Sequence, residues 1–118
     1  MNYQEFSVVS GLDGKQYDCR FYTLMTAISL RHSDTVDVTF LVNGKRLVIS
    51  LPHAAFAEYR RRAGRPLSDE VAIQMAALLL KERLEKEGRG DERELAPSIE
   101  QTLELAERVT QDSEGRSS

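Results

Sequence analysis

The chain has 118 residues, of which 41% are hydrophobic and 30% charged, and its formal net charge is −3. These values are typical of one globular domain with a modest core, and they exclude a fibrous chain or one disordered throughout. No apolar run approaches the roughly 20 residues that span a bilayer, and a single cysteine cannot form an internal disulfide bond. We therefore expect a cytoplasmic protein with no membrane partner.

Charge is distributed unevenly along the chain. Residues 1–66 carry nine Lys and Arg against six Asp and Glu, whereas residues 67–118 carry seven against thirteen. A basic first half and an acidic second half predict a dipolar molecule whose field can orient a charged partner. The imbalance is too small to indicate nucleic-acid binding by itself.

The first predicted element is a hairpin between strands at residues 3–10 and 15–23, joined by a glycine-rich turn. Pairing Phe6 with Cys19 collects apolar side chains on one face of this hairpin. We therefore interpret the cysteine as a core residue and not as a nucleophile. Residues 22–32 fit either a short helix or a continuation of the second strand, and their β-branched residues favour the strand.

A second hairpin carries the strongest local signal in the chain. Asn43–Gly44 separates two strands at residues 35–42 and 45–51, and both turn residues tolerate the positive φ of a type I′ turn. The two-residue loop pairs Phe40 with Leu47 and places alternate apolar side chains on one face. Because a slip of one residue would mix the faces, the pattern also predicts the register.

Three helices are predicted after the strands. Helical spacing of apolar residues places the first at residues 52–63 and the second at residues 68–87. A charged linker follows at residues 89–96, then an appended amphipathic helix at residues 97–111. The polar residues 112–118 are expected to form a disordered tail.

Capping residues support these helix boundaries. Pro52 suits a first helical turn, and Gly64 can close the first helix in a left-handed conformation. Ser68 is a good N-cap for the second helix. Ser98 and Gln101 have the spacing of a capping box at the start of the third helix.

The predicted fold class is α+β. Residues 1–88 form the core domain, an antiparallel meander of about four strands that includes the Asn43–Gly44 hairpin, followed by two packed helices, with the third helix appended. The outer face of the sheet is expected to be polar and either solvated or an interface, and carries Asp37, Thr39, Arg46 and Ser50.

An arginine cluster is the most conspicuous candidate binding site. Guanidinium groups hold phosphates and carboxylates in bidentate geometry, so the cluster predicts an anion or nucleic-acid site. The alternative is that cations simply complement the dipole at the C-terminus of the first helix. The candidate residues are Arg60, Arg61, Arg62 and Arg65, extended by Lys45 and Arg46 of the hairpin turn if these lie nearby.

A surplus of apolar residues on the second and third helices is the other candidate. This set is too wide for a helix that covers a single sheet, so it favours self-association or the docking of another protein. The alternative is a monomer in which the third helix covers the second. The candidate interaction residues are Leu78, Leu79, Leu80, Ile99, Leu103, Ala106 and Val109.

No catalytic or metal-binding pattern stands out in the sequence. Two distant histidines and one cysteine lack the spacing of a zinc site, and the hairpin glycines open no phosphate-binding helix. We therefore expect no metal and no cofactor. An enzyme would need a site assembled from distant residues, such as Tyr22, His32 or His53, and we identify no family from these residues.

Three functions follow, in decreasing order of support. The first is a non-catalytic interaction or regulatory module that self-associates, or binds another protein, through its helical surface. The second is a nucleic-acid or phosphate-binding module that uses the arginine cluster. The third is a small enzyme, which the absence of any catalytic arrangement places well behind.

Overall fold

The strands follow one another in the sheet in the same order as in the chain. The computed structural model describes residues 2–27, 34–87 and 93–117. Its elements are β1 (Glu5–Val9), β2 (Gln16–Ala27), β3 (Thr35–Val42), β4 (Lys45–Pro52), α1 (His53–Ala63), α2 (Asp69–Glu87), β5 (Glu94–Leu95) and α3 (Ile99–Ser117). The sheet order is β1-β2-β3-β4-β5, which confirms the α+β class. The prediction of about four strands lacked the short β5, which runs parallel to β4.

The predicted register of the central hairpin is confirmed. Phe40 pairs with Leu47, and Val38 pairs with Ile49. Both residues of the Asn43–Gly44 turn have positive φ, 50° and 83°. This conformation is the one that a type I′ turn requires, and it joins the strands without a register slip.

The first hairpin also has the predicted register, with Phe6 opposite Cys19. The strand interpretation of the next segment is confirmed as far as Ala27, while residues 28–33 lie outside the described residues. β2 contains an irregularity that the sequence analysis missed, because its pairing with β3 shifts between Phe21 and Thr23. Such a β-bulge adds one residue to one strand and bends it locally.

The helices lie on one face of the sheet. α2 packs against β1 to β4, and α3 packs against α1, α2 and β4. The molecule measures 43 × 41 × 22 Å, and its smallest dimension fits one sheet and one helical layer of about 10 Å each. We call the side of the sheet that carries the helices the inner face and the opposite side the outer face. The outer face has no covering layer among the described residues.

Local hydrogen bonds confirm the caps predicted at Gly64, Ser68 and Ser98, whereas Pro52 lies before the first turn of α1, as an extended N-cap without a side-chain hydrogen bond. Gly64 adopts a left-handed conformation, and its N–H donates to the carbonyl of Arg60. The N–H of Val71 donates to Ser68 Oγ at 3.2 Å. Ser98 and Gln101 form the reciprocal capping box, with donor–acceptor distances of 2.9 and 3.1 Å. These caps explain why α1, α2 and α3 begin or end close to the predicted residues.

The core joins all three helices to the inner face of the sheet. Its largest fully buried side chains include Phe40, Leu47, Ile49, Met75, Leu80 and Leu84. α3 continues to Ser117, beyond the predicted end at residue 111, and β5 lies within the predicted linker of residues 89–96. In the described part of the chain, no helix is long and apolar enough to cross a membrane.

Substitution of Leu80 by alanine should destabilise the fold by about 2–5 kcal/mol, because it opens a cavity in the core beneath α2. The exposed Leu12 of the first turn provides the control, and Leu12→Ala should change stability by less than about 0.5 kcal/mol. Urea unfolding of both variants measures the difference. Equal stabilities would show that Leu80 is not buried as described.

Candidate functional site

The arginine cluster lies at the C-terminal end of α1 and is partly neutralised within the chain. Arg61 Nε donates to Glu58 Oε2 at 3.2 Å, and Arg62 Nε donates to Glu58 Oε1 at 2.9 Å. Hydrogen bonds from Arg61 and then Arg62 lower the pKa of the Glu58 carboxyl to about 2. One carboxylate therefore occupies two of the four guanidinium groups, at the i+3 and i+4 spacing of a helix surface.

The cations of the hairpin turn do not extend this cluster on one face. Arg46 lies on the outer face, where its guanidinium donates to the Tyr22 hydroxyl at 3.1 Å and lies 4.8 Å from the centre of the ring. α1 packs on the inner face through the buried side chains of Ala55 and Tyr59. Lys45 precedes Arg46 at the turn and is exposed.

A groove between α1 and α3 is lined by two residues of the arginine cluster. Its volume is about 370 Å³, and Arg62 and Arg65 line it together with Tyr59, Leu103 and Glu107. The Glu107 carboxylate introduces a negative charge, so the groove does not form a uniformly basic pocket for an anion. Arg60 is exposed on the same helix.

Most of the predicted helical interaction surface lies inside the chain. Leu80, Leu103, Ala106 and Val109 are buried, and Leu78 and Leu79 are half-buried. Ile99, at the start of α3, is 41% exposed. Of the two arrangements that the sequence left open, the structure has α3 covering α2 within one chain.

The residues proposed for an assembled catalytic site are far apart. Tyr22 contacts Arg46 near the start of β4, whereas His53 follows the end of that strand and stacks on Phe56. His53 lies seven positions after Arg46, a distance of roughly 23 Å along an extended chain. His32 lies outside the described residues.

Other reactive groups do not form a site within the described residues. No cluster of three His, Cys, Asp or Glu in these ranges could hold a metal ion. The side chain of Cys19 is buried in the core, and burial, with a smaller effect of Asp18, raises the pKa of its thiol to about 12. A thiol with this pKa is protonated at neutral pH and is a poor nucleophile.

The open edge of β2 is a feature that the sequence analysis missed. β1 pairs with β2 only as far as Arg20, and one further hydrogen bond joins Phe21 N–H to the Gln4 carbonyl at 2.7 Å. Residues 2–5 before β1 form a turn, in which the Glu5 N–H donates to the Asn2 carbonyl. Among the described residues, residues 22–27 of β2 therefore have a neighbouring strand on one side only, β3.

The backbone direction along this edge follows from the pairing with β3. The N–H of Asn43, the residue directly after β3, donates to the Asp18 carbonyl of β2 at 2.9 Å. Because backbone groups alternate in direction along a strand, the odd-numbered residues of β3 direct theirs towards β2. Met25 lies opposite Asp37, and its N–H and C=O therefore point to β3. Its neighbours Leu24 and Thr26 point theirs away from the sheet, where the described residues provide no partner.

The side chains of the open edge are uncharged. Residues 21–27 contain no charged residue, no proline and no glycine. Tyr22 is 50% exposed and Met25 63% exposed on the outer face, and Leu24 is half-buried on the inner face. Exposed edges in natural sheets are usually protected by charges, prolines or bulges that prevent pairing with another chain. Beyond its bulge, this edge lacks such protection in the part of the chain that the structure describes.

Comparison of the chain with protein-family models, with curated proteins and with solved structures finds no match. No function is therefore transferred from a relative. Among the surfaces described above, the open edge of β2 combines exposed apolar side chains with backbone groups that have no partner in the described residues.

Protonation of Glu58 should reduce stability at low pH. Because its pKa in the folded chain is lowered to about 2, its contribution is fully present above the ordinary pKa of 4.5 and is lost as the pH falls towards 2. We expect Glu58→Gln to lower the melting temperature at pH 6 and to have little effect near pH 2. Melting curves followed by circular dichroism test this, with Glu104→Gln on the exposed side of α3 as control. A difference that stays constant with pH would contradict the expectation.

The internal pairing of Arg61 and Arg62 predicts weak nucleic-acid binding. We expect a dissociation constant no tighter than roughly 100 µM for a mixed-sequence oligonucleotide at physiological salt. Glu58→Gln should bind more tightly, because it releases both guanidinium groups. Fluorescence anisotropy across a salt series measures both. Micromolar binding by the natural chain that vanishes when Arg60, Arg61, Arg62 and Arg65 become alanine would instead favour a nucleic-acid site.

Proposed function

We propose that the protein is a non-catalytic interaction module that binds a protein partner by adding a strand to the open edge of β2. The observation that carries this proposal is the length of β2, which extends well past its pairing with β1 and has an uncharged outer edge. An extended segment placed beside this edge can form main-chain hydrogen bonds with Leu24 and Thr26. This mode of recognition is known as β-augmentation.

The side chains of the edge add an apolar contribution to these hydrogen bonds. Met25 and Tyr22 lie on the outer face, and the half-buried Leu24 lies on the inner face beside the core. A partner strand has side chains on both faces in alternation, so it can cover Met25 on one side and extend the core on the other. Hydrogen bonds then provide affinity, and these side chains provide selectivity.

The other candidate functions have less support from the geometry. Self-association through the helices would need side chains that are mostly buried already within one chain, where α2 and α3 pack together. Two of the four clustered arginines share the Glu58 carboxylate. By contrast, strand addition needs no rearrangement of the described chain.

Substitution of Met25 by lysine should abolish partner binding without unfolding the protein. The side chain is 63% exposed, so a lysine fits the fold, but its charge would be placed against the added strand. Val9→Lys is the matched control, because Val9 is 61% exposed on the outer face of β1. Each variant is used to capture binding proteins from a lysate of cells that express the protein naturally.

We expect the natural chain and Val9→Lys to retain the same proteins and Met25→Lys to lose them. Hydrogen exchange should then show slower exchange of the Leu24 and Thr26 amides in the presence of a purified partner. Retention of the same proteins by Met25→Lys, or unchanged exchange of both amides, would contradict binding at this edge.

A further inference from the structure

We infer that the partner at the open edge of β2 is a second copy of this chain, paired antiparallel about a two-fold axis at Met25. This inference rests on the proposed function and names its partner. It differs from self-association through the helices, because the two chains meet edge to edge. The result is one continuous sheet that contains the strands of both copies.

The backbone determines where the axis lies. With the axis at Met25, Leu24 of each copy lies opposite Thr26 of the other, and each such pair exchanges two hydrogen bonds. All four outward-pointing groups of Leu24 and Thr26 then have partners. An axis at Leu24 would instead place Thr26 opposite Tyr22, which lies within the shift of register between β2 and β3.

The same axis matches the two faces of the sheet. Met25 then lies against Met25 of the second copy on the outer face. On the inner face, Leu24 lies opposite Thr26. Apolar and β-branched pairs of this kind stabilise adjacent strands.

The charge pattern favours a second copy over a charged peptide. A two-fold axis brings identical residues together, so a charged residue near it would face its own like charge. Residues 21–27 carry no charge. Among the described residues, three charged side chains beside this segment have partners in their own chain: Arg20 lies 3.8 Å from Glu5, Asp37 accepts a hydrogen bond from Thr35 at 2.8 Å, and Arg46 donates to the Tyr22 hydroxyl at 3.1 Å. Two copies of this edge can therefore pair without bringing like charges together.

Pairing about a two-fold axis is closed, because it covers the same edge in both chains. We therefore expect discrete dimers, since this edge is no longer available for further growth. The overlap spans only residues 23–27, which is smaller than a standard interface of about 800 Å² per partner. We therefore expect a weak dimer, with a dissociation constant of roughly 1–100 µM.

Disulfide trapping tests the position of the axis. Opposed residues in a non-hydrogen-bonded antiparallel pair have Cα atoms about 4.5 Å apart, which is within the range that a disulfide bond spans. Met25→Cys should therefore form a covalent dimer rapidly under mild oxidation with copper phenanthroline. Cys19 should not interfere, because it is buried and its pKa is raised to about 12. Val9→Cys and Leu24→Cys are the controls, and neither should crosslink at a comparable rate.

Sedimentation equilibrium tests the dimer without covalent trapping. The natural chain should reach twice its mass of 13.3 kDa as its concentration rises through the micromolar range. Met25→Lys should raise the dissociation constant at least tenfold, and Val9→Lys should leave it unchanged. Circular dichroism and melting temperature establish that each variant is folded.

Each contrary result has a separate meaning. A natural chain that stays monomeric to about 500 µM overturns the inference, and the proposed function survives only if Met25→Lys still abolishes the binding of another protein. A dimer unaffected by Met25→Lys overturns the inference, because it places the contact elsewhere. Faster crosslinking of Leu24→Cys than of Met25→Cys overturns the axis at Met25.

Discussion

The fold depends on the pairing of β3 on both of its sides. Its inward side chains alternate along the strand, and their burial requires a single register with β4. The Asn43–Gly44 turn sets that register, and a shift of one residue would move Phe40 from the core to the outer face. Because β3 also pairs with β2, the register of β3 also determines which residues of the first hairpin face inwards. The helices then cover the face on which the apolar side chains lie.

β2 can pair with β3 and keep its apolar side chains on the inner face only because it contains a bulge. Its inward residues are Cys19 and Phe21 before the irregularity, but Leu24 after it, so the spacing changes from two residues to three. A regular strand would direct Leu24 outwards and Thr23 into the core. The extra residue restores the match with β3 and leaves Tyr22 on the outer face beside Arg46. It thereby also sets the orientation of the open edge that follows.

Features encoded within a few residues were predictable, and features that depend on distant contacts were not. The hairpin registers and the caps of the helices follow from local turn and capping chemistry. The packing of α3 against α2 within one chain does not, because an apolar helix has the same pattern whether its cover comes from its own chain or from another. The pairing of Glu58 with Arg61 and Arg62 had a sequence signal, the i+3 and i+4 spacing, and the sequence analysis missed it. The open edge of β2 was not predicted either, because its prediction requires the end of β1, the position of the bulge and the register with β3 to be known together.

The distribution of charge separates two regions with different tendencies to associate. The acidic excess of residues 67–118 is carried largely by α2 and α3, so contact between the α2 and α3 surfaces of two copies would bring like net charges together at neutral pH. The segment of residues 21–27 is uncharged and lies at the edge of the sheet, where it protrudes past β1. Two chains can therefore approach edge to edge without the repulsion that opposes contact between their helices. An uncharged edge that stays exposed is prone to aggregation. Pairing about a two-fold axis removes this risk, because it buries the edge in both copies at once.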